Sequence, residues 1–362
     1  MPIMKIRGGD LDLVEYNFSP FRPGERIQTL GIRPSRPLQP TRETIRVRAP
    51  SRIHLTVLDM NRFAPERPGG GGIGFAIAMP LSADVRCIDG PDEITSERLP
   101  IIRHFLEIFR QASGYTGGFS VRTSSHSYPH VGLGSTSTML IALAHGLNAA
   151  VGSPFTRTEL RLLLGHNYVE ETQDGEIAFG FETGVGPAAS TYGGMAVMGD
   201  RLTLVYHHAF AENRRVFVII PASDISSAGT KEFDLLMNRA RCLDYQDREL
   251  KAYMILMDLI PALERGDLTR IGEIIWEIEF RGSKRAEIEH HTFSIYTYMS
   301  RLREAGFEFV GMSSVGPSIA VITSRTRQEV EEAIAPLGLE IAIETTVDNT
   351  GIVIERPENQ TG

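Results

Sequence analysis

The segment Pro129-His130-Val131-Gly132-Leu133-Gly134-Ser135-Thr136-Ser137-Thr138 constrains this chain more than any other stretch. A run of strand character, Gly118 to Thr123, precedes it. Met139, Leu143, Leu147 and Val151 follow at helical spacing until Gly152-Ser153-Pro154 stops the run. A buried helix entered through glycines leaves N–H groups and its positive end facing outward, and the four hydroxyls add donors. That suits a phosphate or diphosphate. The same spacing suits a buried helix that is N-capped at a flexible turn, and spacing alone does not separate the two readings.

A chain of 362 residues exceeds the size at which one core usually stops growing, so two domains sharing an interface are expected. Hydrophobic content of 42% is enough for a large core. A formal charge of -8, with both signs mixed along the chain, offers no basic field for nucleic acid, so a polyanionic small molecule needs locally placed cations. Cys87 and Cys242 lie too far apart in sequence for a metal knuckle and read as packing residues in a reducing compartment. Met1 to Asp10 has no apolar h-region, and no stretch approaches the length of a membrane span. The expected location is cytoplasmic, without membrane contact.

Prolines 20, 23, 34, 37 and 40 make residues 17–42 read as an extended arm, with the fold starting near Thr44. Ile45 and Val47 alternate with Arg46 and Arg48, then Ile53, Leu55 and Val57 alternate with Arg52, His54 and Thr56, which predicts two half-buried strands around Ala49-Pro50. A strand carrying Phe75, Ile77 and Met79 should follow the glycine run 69–72, whose backbone turns or approaches something closely. Helices are expected over Leu99 to Ala112 and Leu160 to Glu171, and a strand over Gly193 to Gly199. The second half reads as a strand (Val216 to Ile220), helices (Thr230 to Arg241, Arg248 to Arg265, Leu268 to Phe280, Ser294 to Ala305), strands (Phe307 to Gly311, Ser318 to Thr323), a helix (Arg327 to Pro336) and a strand (Leu339 to Thr345). Without the extra helices this order resembles a split βαβ, ferredoxin-like unit.

Two further segments carry chemistry. Alternation puts Arg52, His54 and Thr56 on one side of a strand that continues to Asp59 and Asn61. Arg52 can clamp a phosphate or carboxylate and His54 can donate to a developing charge, although a solvated strand face gives the same pattern. Gly311-Met312-Ser313-Ser314-Val315-Gly316-Pro317 replaces side-chain bulk with backbone and hydroxyls between two predicted strands. It reads as a loop facing a ligand or as an ordinary β-turn-β connection.

The order Ala49-Pro50-Ser51-Arg52-Ile53, then Gly132-Leu133-Gly134-Ser135, then a Gly-Ser loop near the C-terminus resembles the three motifs of GHMP kinases. Within that superfamily, residues 52–61, the following Gly-Gly-Ile-Gly, and residues 311–317 most resemble β-ribofuranosylaminobenzene 5′-phosphate synthases. Related C-nucleoside synthases of antibiotic biosynthesis are similar to the same family. The resemblance runs from about Thr44 to Thr323. It implies an α+β, two-domain GHMP-kinase-like fold, with a ribosomal protein S5 domain 2-like N-terminal domain (44–205) and a ferredoxin-like C-terminal domain (206–362); the extended arm (1–43) lies outside it.

It also implies 5-phosphoribosyl 1-pyrophosphate and an aromatic carboxylate as substrates, Mg²⁺ as cofactor and, from the superfamily, a homodimer. Arg52, His54 and Asp59 are then the catalytic candidates. Thr56, Asn61, Gly132, Leu133, Gly134, Ser135, Thr136, Ser137, Thr138, Gly184, Gly186, Ser313, Ser314 and Gly316 are the expected substrate-binding residues. Ser135 matches the serine that GHMP kinases use for the metal, and Glu171 is its expected carboxylate partner, with Glu170, Glu176 and Glu182 as competitors. Ser226, Gly229 and Glu232 resemble a synthase segment placed to close over the 5-phosphate, and a helix cap at Ser227 or Thr230 fits equally well.

One departure separates kinase from synthase. GHMP kinases carry Ser-Gly-x-x-Asp ahead of a Gly-Gly pair, whereas this chain has Thr183-Gly184-Val185-Gly186-Pro187 before Gly193-Gly194. Gly186 stands where the acid would be, so phosphorylation of a hydroxyl by the usual route lacks its base. A C-ribosylation that releases pyrophosphate and carbon dioxide needs no such base.

Overall fold

The computed structural model describes residues 19–64, 66–124, 128, 131–223 and 235–356. Its first long strand, β1 (Ile45–Val57), runs straight through Ala49-Pro50, so the two strands expected there are one. Its pairing with β2 (Gly72–Ile88) shifts register between Pro50 and Ser51, and again between His54 and Thr56. A bulge reverses the face that alternate residues show. Before the first shift Arg46 and Arg48 are exposed, while Val47 lies beneath Gly146 of helix α2 (Ser135–Ala150). After it Arg52 turns inward, towards that same helix, and Leu55 faces Gly311 in the second half of the chain.

The first sheet runs β13-β1-β2-β4-β3, with β4 (Gly118–Thr123), β3 (Glu93–Thr95) and β13 (Val353–Glu355); β7 (Met195–Met198) also pairs with β2, and β8 (Leu204–His208) with β7. Its pairings are antiparallel except β3 with β4. Helix α1 (Leu99–Ser113), α2, α3 (Arg157–His166) and α4 (Val185–Tyr192) complete the N-terminal domain. α1 is amphipathic and buries Ile102, Phe105, Leu106 and Phe109. α2 is buried all round from Ser137 to Ala150, as its apolar composition requires. α3 starts at a capping box between Thr156 and Glu159 and ends at His166, earlier than expected. Glu170 and Glu171 therefore lie on a short strand, β5 (Val169–Glu171), which pairs with β6 (Ile177–Phe179).

The second sheet has the order β10-β11-β9-β12, built from β9 (Arg215–Ile219), β10 (Phe309–Met312), β11 (Ile319–Thr323) and β12 (Ile341–Thr346). Read as fourth, first, third and second from the far end, it is the ferredoxin-like arrangement expected. A continuous helical run, 235–264, includes α5 (Arg241–Met254) and α6 (Ile260–Glu264), with wider π turns over Leu235–Ala240 and Ile255–Leu259. α7 (Leu268–Glu279), α8 (Gly282–His290), α9 (Thr292–Glu304) and α10 (Arg327–Ile334) follow. α8 is a helix the sequence pattern did not reveal. The first residues of the helix expected from Thr230 lie outside the described residues.

One apolar cluster joins Ile53, Leu55, Ile73 and Phe75 of the first sheet to Ile271, Ile275, Phe309 and Ile322 of the second half. Each such side chain contributes about 1.5–3 kcal/mol when buried, so the two sheets are held as one body.

Two expected boundaries need correction. The arm is docked from residue 19 onward: Phe21 is 4% exposed, exchanges backbone hydrogen bonds with Ile177 (2.8 and 3.0 Å) and packs its ring 4.9 Å from Phe179. The C-terminal segment leaves the second sheet after β12. Asp348 N–H donates to Ala76 O at 3.0 Å, and β13 pairs with Arg46–Arg48 of β1, so the first sheet takes strands from both ends of the chain.

Candidate active site

The inward turn of β1 after Pro50 brings Arg52 under the glycine loop. Arg52 Nη1 donates to Gly132 O at 2.6 Å, and Arg52 N–H donates to Leu133 O at 3.3 Å. Gly134, the residue before α2, has φ +68°, and a Cβ there would stand 2.6 Å from Arg52 Nε. Glycine is therefore needed at 134 both for its backbone conformation and for the arginine packed against it.

A cavity of about 100 Å³ opens beside this loop. Arg52, His54, Ser137, Glu182, Thr183 and Gly186 make one part of its wall. Ser137 Oγ donates to Glu182 Oε2 at 3.2 Å, while Glu182 Oε1 accepts from Gly184 N–H at 2.7 Å. The other part is apolar: Val57, Met60, Phe181, Leu236 and Val315, which belong to or pack against one buried cluster. Tyr168, Glu170, Glu287 and Ser314 complete the lining.

Burial governs the charges here. The His54 imidazole is held well below its ordinary pKa, first by burial, then by Arg52 and Lys284, so it is neutral at physiological pH. Burial raises the Glu182 carboxyl, against the Gly184 N–H and the Arg52 charge, and raises Glu170 against Arg98. The Tyr168 hydroxyl is also pushed up by burial, then by Glu170 and Glu182.

The Gly-Ser segment 311–317 braces this wall from behind. Ser313 Oγ accepts from His54 N–H (3.0 Å) and donates to Gly132 O (2.7 Å), tying β1 to the glycine loop. Ser314 N–H donates to His54 O at 2.7 Å, and Ser318 Oγ donates to Val131 O at 2.5 Å. Lys284 Nζ, fully buried, donates to the carbonyls of Met312 (3.1 Å) and Ser314 (2.7 Å). Glu279 accepts from Met312 N–H at 2.8 Å, and burial pushes its carboxyl up to about 8.

Residues 100–194 match the model of the GHMP kinase N-terminal domain. The β-ribofuranosylphenol 5′-phosphate synthase of Methanothermobacter thermautotrophicus is 26% identical over 324 residues, covering 80% of this chain and 92% of the relative. That of Archaeoglobus fulgidus is 26% identical over 337 residues, covering 86% and 99%. Residues 100–194 thus resemble a GHMP kinase N-terminal domain, and the chain is similar to these synthases over most of its length. Among solved structures, homoserine kinase from Cytophaga hutchinsonii superposes with a TM-score of 0.62 at 16% identity, covering 88% of this chain and 99% of that one. Mevalonate diphosphate decarboxylase from Staphylococcus aureus gives 0.62 at 17%, covering 86% and 98%. At such identities these two establish the α+β, two-domain GHMP fold and nothing about chemistry.

At the cavity the structure brings together Arg52, His54, Ser137, Gly186 and Ser314 of the residues singled out from the sequence. Others lie elsewhere. Asp59 caps the turn Met60–Arg62, accepting from Asn61 N–H at 3.0 Å and Nδ2 at 2.8 Å, and Asn61 also donates to Arg241 O at 3.1 Å. This pair therefore ties β1 to α5 and does not line the cavity. Thr56 follows the second bulge, which turns Val57 to the cavity in its place; the Thr56 hydroxyl donates to Val57 O at 2.9 Å. Leu133 is a core residue, Thr138 Oγ1 lies 3.3 Å from Ser190 Oγ, and Ser135, Thr136, Gly184, Ser313 and Gly316 stand outside the lining.

Of the expected metal pair, neither Ser135 nor Glu171 lines the cavity, whereas Ser137 and Glu182 do, 3.2 Å apart. Strand alternation in β5 turns Glu171 away from Glu170, to 3.5 Å from Arg98. Among the described residues no three His, Cys, Asp or Glu side chains form a metal-holding group. One hydroxyl beside one carboxylate nevertheless fits Mg²⁺, which is commonly held by one or two carboxylates plus substrate phosphates. Pro129, His130, Ser226, Ser227, Gly229, Thr230 and Glu232 lie outside the described residues. Sequence reasoning missed Tyr168, Phe181, Leu236 and Glu287. The alternation and helical phase that signal a wall residue say nothing about which distant elements meet. No described helix is long and apolar enough to cross a membrane.

Proposed function

We propose that this protein joins a ring carbon of an aromatic or heteroaromatic carboxylate to C1 of ribose 5-phosphate, using 5-phosphoribosyl 1-pyrophosphate and releasing pyrophosphate and carbon dioxide. The relatives are named for a product in which a phenol ring carries ribofuranose 5-phosphate, which supports this product class.

The observation that carries the reading is position 186. Gly186 lines the cavity, and a Cβ there would stand 3.0 Å from Ser137 Cβ and 3.6 Å from Arg52 Nε. The space a kinase gives to its acid is closed by a hydroxyl and a cation, which suit a departing diphosphate and cannot take a proton from an alcohol.

In this reading Arg52 keeps the glycine loop in place and supplies positive charge to the donor phosphates. Ser137 and Glu182 would hold Mg²⁺, which would offset the charge of the diphosphate. Neutral His54 donates a hydrogen bond without competing for a proton. The apolar wall takes the aromatic ring and excludes water from the cation-like sugar carbon.

The test is to incubate purified protein with the phosphoribosyl donor, Mg²⁺ and a panel of 4-hydroxy-, 4-amino- and heteroaromatic carboxylates. Equal release of pyrophosphate and carbon dioxide with at least one acid is expected. ADP formation from ATP and an alcohol, with no pyrophosphate from any acid, would overturn the proposal. Gly186→Asp should lower synthase turnover about 100-fold by crowding Ser137 and opposing diphosphate charge.

A further inference from the structure

We infer that Glu287 takes the proton from an O–H or N–H donor conjugated to the attacking ring carbon, so the acceptors are carboxylates bearing such a donor, either as a substituent or in the ring. This rests on the synthase reading.

Glu287, on α8, is 2% exposed and lines the cavity. Its Oε2 stands 2.7 Å from Lys284 Nζ and makes no further hydrogen bond. Lys284 also donates to the Met312 and Ser314 carbonyls, and a carboxylate has about four acceptor sites, so this one cation balances the charge without filling them. A buried carboxylate that lines a cavity with acceptor sites to spare suits a ligand donor. Glu182, by contrast, has its oxygens engaged by Ser137 and Gly184.

The surroundings fit a ring. Ala286, next in sequence, belongs with Val57, Met60, Leu236 and Val315 to the apolar cluster at the cavity, and the Phe181 ring lies 4.3 Å from that of Phe63. The other charges acting on Glu287 come from Lys284 on its own helix, Asp244 and Lys251 on α5, and Glu279 on α7. Burial raises its affinity for a proton, and Lys284 opposes this without cancelling it.

The step balances. The C1–O bond of the donor breaks and its electron pair leaves with pyrophosphate, while a ring π pair forms the new carbon–carbon bond. The O–H or N–H pair becomes a C=O or C=N π bond, and the proton passes to Glu287. Carbon dioxide then leaves; its carbon–carbon pair restores the aromatic ring, and Glu287 returns the proton to the heteroatom. Nothing is oxidised or reduced overall.

The experiment compares wild type with Glu287→Gln on 4-hydroxybenzoate and a fluorinated series of increasingly acidic phenols. With 4-hydroxybenzoate, kcat should fall about 100-fold in the variant, with the donor KM within about threefold. The deficit should shrink as the phenol becomes ionised at the assay pH. A deficit constant across the series, or no deficit, overturns the inference while the synthase reading stands. No pyrophosphate release by wild type with any acid overturns both. Should Glu287→Gln not fold, wild type alone decides. Turnover of 4-methoxybenzoate at the rate of 4-hydroxybenzoate overturns the role of Glu287, and its loss by about 100-fold or more supports it.

Discussion

In segment 132–138 the Ser137 hydroxyl faces the cavity, beside a helix start that Gly134 leaves open to Arg52. In segment 311–317, equally rich in small residues, the Ser313 hydroxyl is spent on His54 N–H and Gly132 O, and both flanking carbonyls, Met312 and Ser314, are held by Lys284. One stretch brings a hydroxyl to the cavity wall and the other ties β1 to the glycine loop. Glycines and hydroxyls therefore mark where backbone is approached closely, and the partner decides what the approach is for.

The harshest challenge to this comparison is Gly132→Ala. Gly132 has φ +94°, and a Cβ there would overlap the Ser313 carbonyl oxygen, so backbone would have to move on one side or the other. The substitution should cost about 4 kcal/mol or prevent folding. A denaturant midpoint equal to wild type would show that the two segments do not touch.

Next come paired alanines. Ser137→Ala should lower turnover about 100-fold with little loss of stability, because it removes a group facing the reactants. Ser313→Ala should instead cost about 1–3 kcal/mol in urea unfolding, leaving His54 N–H and Gly132 O without their shared partner, and affect turnover less. Exchange of these two phenotypes would dissolve the distinction between presenter and brace.

A smaller effect concerns pH and the brace alone. Glu279 titrates near 4.5 when unfolded and about 8 in the fold, so the native state binds its proton more tightly. The stability contributed by the protonated group is complete below pH 4.5 and is lost as pH rises through 8, at no more than about 1.4 kcal/mol per pH unit. Glu279→Gln should flatten the urea midpoint between about pH 5 and pH 9. An unchanged slope would mean that another group sets it.

Much of the architecture was legible because its signals are local. The apolar phase of α2 after Gly134, the strand alternation of Ile45 and Val47, and the βαβ order of the second half each depend on neighbours a few residues away. The missing acid at Gly186 was legible for the same reason, as a single position read against its neighbours.

The site itself was only half legible. Simple alternation puts Arg46, Arg48, Arg52 and His54 on one face, yet the shift at Pro50-Ser51 sends the first two to solvent and the last two into the cavity. Asp59 and Asn61, polar and close in sequence to His54, turn out to close a turn. Glu287 and Lys284 look like an ordinary polar pair three residues apart, and only the helices packed around α8 reveal that both are buried.

The sequence by itself determined the kinds of elements, their order and the glycine loop at 132–134, because helix phase, strand alternation and turn chemistry are written into short windows. Tertiary structure decided which residues of β1 line the cavity, which carboxylate meets Ser137, and that the C-terminal strand returns to the first sheet. Those outcomes depend on bulges and on contacts between residues far apart in the chain, where a one-residue shift changes what a side chain touches.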